Sequence, residues 1–117
     1  IDLKNVKSIG ENAFSGCTAL EGVNLANVAS VSANAFNGCT ALTGVSLGKA
    51  KIIAQSAFSG CTALKDILSA QSVTTIQKNA FSECKSLATV SLENVTSVGE
   101  KAFDSCTALT NVNLKKR

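Results

Sequence analysis

The five cysteines are the residues whose type and spacing first suggest chemistry. They recur every 22 or 23 positions, at Cys17, Cys39, Cys61, Cys84 and Cys106. Cysteines at a fixed spacing can ligate a metal or form disulfides. However, the chain has no histidine and no Cys-x-x-Cys pair, so the usual spacing of zinc ligands is absent. Side chains stacked in one column point the same way, which is poor geometry for a disulfide. We therefore predict a buried ladder of unreactive thiols that pack as small hydrophobic groups, with no metal and no cofactor.

The other polar residues form no recognisable catalytic set. Without histidine, neither a Ser-His nor a Cys-His pair can be assembled. Among the carboxylates only Glu11 and Glu100 share a position in the repeat described below, and four repeats separate them, which is too far for a glycosidase pair. Glycine-rich phosphate-binding motifs are absent as well. The sequence therefore predicts a protein that is not an enzyme.

The net charge of +3 comes from the C-terminal end of the chain. Residues 1–114 contain eight lysines and eight acidic residues, and the excess is supplied by residues 115–117. Nucleic-acid surfaces need a basic stripe and usually stacking aromatic residues, so no nucleic-acid partner is predicted. No apolar run reaches the ~20 residues of a membrane span, so membrane insertion is not predicted either.

Each cysteine belongs to a longer unit that occurs five times. An Ala-Phe pair precedes the cysteine, a leucine follows it, and a β-branched residue follows the leucine. The phenylalanines, which are the only aromatic residues, are Phe14, Phe36, Phe58, Phe81 and Phe103. The unit reads V-x-x-I-x-x-x-A-F-x-x-C-x-x-L-x-x-V-x-L. A period of this length is typical of a solenoid, in which each coil buries its apolar side against its neighbours.

Each repeat is predicted to supply one short strand of a parallel sheet. In residues 20–25, Val23 and Leu25 alternate with Gly22 and Asn24, as in a strand with one buried face. A second extended segment is predicted on the return side, for example at residues 28–31. One helical or 3₁₀ turn should follow it, and the phenylalanines should stack as a ladder.

Some positions depart from the repeat. In the third repeat, either Ser69 takes the place of the usual leucine, or an extra residue follows the strand and Leu68 faces outward; the second arrangement is favoured. A column of glycines is continued by Glu83 in the fourth repeat, from which we predict that this position does not require a positive φ. Asn27 and Asn94 suit a tight turn, because asparagine tolerates the left-handed conformation.

The repeat resembles the BspA-type leucine-rich repeats, which occur in surface proteins of gut and oral bacteria and of some protists. The resemblance covers residues 3–114 and is carried by Ala-Phe-x-x-Cys-x-x-Leu, repeated in register. Four of the five units are one residue shorter than is usual in that family, and Ala70 stands where its proline would be. The resemblance implies a right-handed, gently curved α/β solenoid of the leucine-rich-repeat type, secreted or at the cell surface, with a role in adhesion or ligand binding.

Together these patterns predict one solenoid of about five 22–23-residue repeats over residues 1–117. Because neither end shows a polar capping repeat, we expect a fragment of a longer array, or ends that associate with another copy. The predicted function is a non-catalytic interaction or adhesion module that binds a protein or another extracellular macromolecule. A passive spacer and an accessory repeat domain of a larger protein are the alternatives.

The candidate binding face is the outward side of the predicted sheet. Its side chains are small, polar and nearly uncharged, and Asp66 and Leu68 are its charged and its large apolar members. Aromatic and arginine side chains, which dominate many binding hot spots, do not occur on it. The predicted binding residues are Asn24, Ser46, Asp66, Leu68, Thr89, Ser91, Asn111 and Asn113.

Overall fold

The repeated apolar positions produce ten short strands on two sides of a solenoid, and every strand pair is parallel. The computed structural model describes residues 2–114, except for the side chains of Leu68 and of residues 111–114. The return sheet consists of β1 (Ser8–Ile9), β3 (Ser30–Val31), β5 (Ile52–Ile53), β7 (Thr75–Ile76) and β9 (Ser97–Val98). The front strands are β2 (Gly22–Asn24), β4 (Gly44–Ser46), β6 (Asp66–Leu68), β8 (Thr89–Leu92) and β10 (Asn111–Leu114).

The interior consists of the predicted apolar columns, although Val98, the member of one column in the last return strand, is 44% exposed. The inward residues of the front strands are buried, and Val45 and Val90 are 1% exposed, because alternate side chains of a strand point to opposite faces. Among the described residues no polar or charged side chain is buried. The core is therefore dry, and its stabilisation comes from apolar burial.

The phenylalanines form the predicted ladder through the core. Ring centroids of consecutive coils lie 5.2 to 5.6 Å apart, and the ring planes are within 7° of parallel. Each ring is therefore stacked on the ring of the next coil, and such aromatic pairs add to the stabilisation that comes from burial.

The segment around each phenylalanine is a series of tight turns, and the predicted helical or 3₁₀ turn is wrong for residues 2–114. In the second coil, Asn34 and Gly38 have φ values of 59° and 79°. A left-handed residue at every fourth position stops a helix from continuing. Three consecutive turns result, each closed by an N–H to C=O bond between residues three apart, such as Ala35 N to Ser32 O at 3.2 Å.

The turns also explain why a helix is not formed. Alternate N–H groups point along the solenoid axis and donate to carbonyls of the next coil. Asn34 N donates to Gln55 O at 3.0 Å, and Gly38 N donates to Ser59 O at 2.8 Å. Equivalent triplets of bonds join all four pairs of neighbouring coils. This turn ladder uses donors that a helix would keep within one segment.

The glycine column keeps its left-handed conformation where glycine is replaced, so the prediction for Glu83 is wrong. Glu83 has a φ of 62°, and its N–H donates to Asp104 O at 2.7 Å. Ser105 occupies the same position of the following coil and has a φ of 61°, although no described residue accepts a hydrogen bond from its N–H. The left-handed conformation therefore belongs to the series of turns within each coil. Glu83 therefore accepts a conformation that costs a non-glycine residue roughly 1–2 kcal/mol.

Replacing Glu83 with glycine is expected to raise the free energy of unfolding by about 0.5–1 kcal/mol. Glycine removes the steric cost of the left-handed φ, and its greater freedom in the unfolded chain offsets part of the gain. The matched control is Gly60→Ala, where φ is 76° and an added Cβ meets nothing closer than 3.6 Å. This control should be less stable than the original chain, because alanine is strained at a positive φ while its Cβ has room. Urea unfolding measures both changes, and a destabilised Glu83→Gly variant would contradict the argument.

The extra residue of the third repeat divides the front strands into two sheets. Leu68 is in register with Ser46, which confirms that the insertion follows the strand and places Leu68 at an outward register position. Ser69 then takes a φ of 55° and is exposed, while Ala70 is 5% exposed and fills the position of the missing leucine. The front strands pair as β2-β4-β6 and β8-β10, whereas the return sheet runs unbroken from β1 to β9.

The asparagines before the return strands lie in tight turns, as predicted, closed by bonds such as Val28 N to Leu25 O at 3.0 Å, but they do not adopt the left-handed conformation. Their φ values are not positive, and their side chains instead bond to the preceding coil. The Nδ2 of Asn27 donates to Lys4 O at 3.1 Å, and the Nδ2 of Asn94 donates to Gln71 O at 2.7 Å. These asparagines therefore link coils, as the turn ladder does on another side.

Candidate functional site

The predicted binding face lies on the outward side of the front strands. Asn24, Asp66, Thr89 and Ser91 are exposed, and Ser46 is half-buried. The side chains of Leu68, Asn111 and Asn113 lie outside the described part of the chain, so these predicted members are placed only by strand register. Leu68 follows Asn24 and Ser46 in one row, while Asn111 pairs with Thr89 and Asn113 pairs with Ser91.

The division of the front strands separates the candidate residues into two groups. Asn24, Ser46, Asp66 and Leu68 belong to β2-β4-β6, and Thr89, Ser91, Asn111 and Asn113 belong to β8-β10. The two groups are not joined by strand hydrogen bonds. The arrangement is therefore two short polar surfaces with a discontinuity between them.

Asn24 has a structural role that its position on the face does not reveal. Its Oδ1 accepts a hydrogen bond from Ala26 N at 2.9 Å, which closes the turn after the strand. Asp66 carries the only charge on this face among the described residues. Asp66 thus remains the residue best suited to orient a polar or cationic partner group.

A small cleft of ≈ 180 Å³ opens where the front strands are interrupted. It lies between the ends of β6 and β8, beside the inserted Ser69. Its lining residues are Ile67, Ser69, Ala70, Gln71, Ser91, Glu93 and Asn94. Of these, sequence reasoning identified only Ser91 as a site residue. In the sequence, the cleft is marked by the one 23-residue spacing among repeats that otherwise recur every 22 residues.

The cysteines are free, as predicted, but besides packing in the core, four of them form hydrogen bonds. All five are unpaired, and four thiols donate to a phenylalanine carbonyl of the preceding coil. The Sγ–O distances are 3.1 or 3.2 Å, for the pairs Cys39–Phe14, Cys61–Phe36, Cys84–Phe58 and Cys106–Phe81. Each carbonyl also accepts the backbone N–H of the cysteine in its own coil, such as Cys39 N to Phe36 O at 3.2 Å. The thiol therefore uses the second lone pair of that oxygen.

Cys17 is only half-buried, which departs from the predicted buried ladder, and burial suppresses the chemistry of the other four thiols. Desolvation is the main cause that raises the pKa of Cys61 to about 12, and the neighbouring Cys39 adds to the rise. Desolvation also raises the pKa of Cys39, Cys84 and Cys106. The thiolate is the nucleophile and the metal ligand, and these four groups stay protonated at neutral pH. Within residues 2–114, moreover, no three His, Cys, Asp or Glu side chains come together as metal ligands would.

The described part of the chain contains no helix with the length and apolar character needed to cross a membrane.

The chain matches the family model for the BspA type leucine rich repeat region, in six copies, over residues 1–110. A crystal structure of a leucine-rich repeat protein from Bacteroides ovatus is similar, with a TM-score of 0.85 and 33% identity, covering 92% of this chain and 29% of that one. A leucine rich cell surface protein from Faecalibacterium prausnitzii has a TM-score of 0.85 and 36% identity, covering 93% of this chain and 31% of that one.

A leucine rich repeat protein from T. pallidum is also similar, with a TM-score of 0.60 and 30% identity, covering 78% of this chain and 57% of that one. This chain thus spans less than two thirds of each of these three proteins. No curated protein matches it.

Proposed function

Because the chain belongs to the BspA-type leucine-rich repeat family, we propose that it is a non-catalytic module that binds proteins or other extracellular macromolecules at a cell surface or after secretion. Leucine-rich repeats are protein-interaction modules in general, so membership of the family indicates a role in protein interaction. The surface location is supported by the relative from Faecalibacterium prausnitzii, which is described as a cell surface protein.

The observation that carries the proposal is a solvent-exposed face of polar strand residues on a rigid frame. Hydrogen bonds join the coils along the turn ladder and along the return sheet, so the outward residues of the front strands keep fixed positions. Repeat proteins use such extended surfaces for binding, and rigid elements hold a binding constellation more precisely than loops do.

The most distinctive part of this face is its centre. Asp66 lies on β6, directly beside the interruption of the front strands, and the cleft opens at the end of the same strand. Asp66 does not line the cleft, but a charged group and a concave feature at the two ends of one three-residue strand give a partner something to recognise on an otherwise uniform surface. We therefore place the main contact at β6, and the surrounding small polar side chains allow a close approach.

The test is a binding assay with matched surface variants. The isolated chain is immobilised on a biosensor and exposed to purified extracellular-matrix glycoproteins and mucins. Asp66→Ser combined with Leu68→Ser should weaken binding of any partner by about tenfold or more, the loss expected for a contact that lies at a hot spot. Thr89→Arg on β8 should also weaken binding of the partner, because the arginine side chain adds bulk and charge to the same face.

Ser97→Arg on β9 is the control, since this residue is exposed on the opposite side. If the variant with both Asp66→Ser and Leu68→Ser bound the partner with unchanged affinity, the outward face of the front strands would be excluded as the binding site. A chain that binds no member of the panel would favour the spacer alternative, which the unbroken return sheet and turn ladder also support.

A further inference from the structure

The return side of the solenoid has a groove that the proposed function does not use. It has a volume of ≈ 430 Å³ and crosses the second coil, whose residues there are all small. Its floor is formed by residues 29–33, and its walls come from the neighbouring coils. The full lining is Glu11, Ala29, Ser30, Val31, Ser32, Ala33, Lys51, Ile52, Ala54 and Gln77. We call this feature the return groove.

Ile52 is the unusual member of the lining. It is 46% exposed, whereas the equivalent outward positions of the other return strands carry Ser8, Ser30, Thr75 and Ser97. The next residue, Ile53, is 1% exposed and already supplies the core side chain of this strand. Ile52 therefore contributes no core packing. A single exposed isoleucine is ordinary on a protein surface, but this one lies on the wall of a groove.

Charges of opposite sign flank the apolar wall. Lys51 comes directly before β5, and Glu11 follows β1 by two positions. Parallel strands place these two residues toward opposite ends of the groove. Between them, the hydroxyls of Ser30 and Ser32 make no hydrogen bond with any other described residue. The groove thus offers a cation, an aliphatic surface, free hydroxyls and an anion in order.

The floor sets the shape of what fits. Residues 29–33 span about 13 Å when extended, which is the length of four or five residues of an extended peptide. Ser30 pairs with Ser8 of β1, and Val31 pairs with Ile53 of β5. Because β3 is paired on both sides, a ligand cannot join the sheet as an added strand and has to bind through side chains.

We propose that the return groove binds a short extended peptide segment that carries an aliphatic residue between an acidic and a basic residue. The acidic side chain pairs with Lys51, the aliphatic side chain packs on Ile52, and the basic side chain pairs with Glu11. This is a second surface, on the opposite side from the front strands, and it does not depend on the proposed function.

The probe is the peptide acetyl-Asp-Ser-Leu-Ser-Lys-amide, titrated into the isotope-labelled chain and followed by amide chemical shifts. Shift changes are expected at residues 29–33 and 51–54. Replacing leucine with serine in the peptide should weaken binding about tenfold, because one buried aliphatic side chain is lost. Peptides with aspartate or lysine at both ends should bind about two- to fivefold more weakly, since one charge is then mispaired.

Ile52→Ser is the decisive variant. Serine is the residue at the equivalent position of the neighbouring strand, Ser30, and the position is exposed, so the stability of the fold should not change. This variant should bind the probe peptide about tenfold more weakly, the same loss as when leucine in the peptide is replaced with serine. Thr75→Ser on the adjacent strand should leave the affinity unchanged. Shift changes confined to the front strands, or equal affinity for Ile52→Ser and the original chain, would overturn the proposal. Sedimentation velocity provides a further test: self-association that Ile52→Ser abolishes would assign the groove to a second copy, and would also overturn it.

Discussion

Replacing Phe58 with alanine is expected to lower the free energy of unfolding by about 3–5 kcal/mol. The Phe58 ring is completely buried and lies between Phe36 and Phe81, at centroid distances of 5.3 and 5.4 Å. Alanine would leave a cavity in the middle of the ladder and remove two stacking contacts. The turn ladder on either side holds the backbone in place, so the coils cannot easily close over the cavity. Urea unfolding monitored by circular dichroism measures the loss.

Phe14→Ala is the matched control for this prediction. Phe14 occupies the same position of the first coil, but it is half-buried and stacks on one described ring only, that of Phe36. Its replacement should cost less than half as much as that of Phe58. Asn24→Ala, on the front face, should cost about 0.5–1.5 kcal/mol, the worth of its hydrogen bond to Ala26 N. If Phe58→Ala and Asn24→Ala lowered the free energy of unfolding equally, the assignment of Phe58 to the core and of Asn24 to the surface would be contradicted.

The second large effect is alkaline unfolding caused by the buried thiols. Burial raises the pKa of Cys61 to about 12 and raises the pKa of Cys84 as well, from an ordinary value of 9.0. Below pH 9 these thiols are protonated in both the folded and the unfolded chain, so their contribution to stability is fully present. Above pH 9 the unfolded chain releases the protons first, and unfolding becomes more favourable as pH rises toward 12.

The expected slope is a loss of about 1.4 kcal/mol per pH unit for each thiol that is ionised only in the unfolded chain. Cys61 and Cys84 together should therefore lower the unfolding free energy by nearly 3 kcal/mol per pH unit between about pH 10 and 11. The chain contains no tyrosine, which removes one other group that titrates in this range. Urea unfolding at a series of pH values from 8 to 11 gives the slope directly.

Cys61→Ala tests whether the thiols are responsible. This variant loses the hydrogen bond to Phe36 O and should be less stable at neutral pH. Its slope above pH 10 should nevertheless be shallower by about 1.4 kcal/mol per pH unit, because one titrating group is gone. A slope identical to that of the original chain would show that the Cys61 thiol does not couple to unfolding.

The thiol hydrogen bonds illustrate the limit of reasoning from one repeat. The column of cysteines predicts burial, because it lies among phenylalanine and leucine columns at a constant spacing. The acceptor of each of the four hydrogen-bonded thiols is a carbonyl 25 or 26 residues earlier in the chain. Which oxygen lies within reach depends on the offset between coils, and no pattern inside one repeat contains that offset.

The sequence by itself determined the solenoid, the inward columns and the phenylalanine ladder, because apolar side chains at a constant period have one way to bury themselves, against their copies. It also located the extra residue of the third repeat. Only the tertiary structure decided the left-handed turns at Glu83, the division of the front strands after Leu68 and the return groove beside Ile52. The division of the front strands and the return groove depend on the spacing between coils, and the φ of Glu83 depends on the turns on either side of it. A residue type considered by itself reports neither.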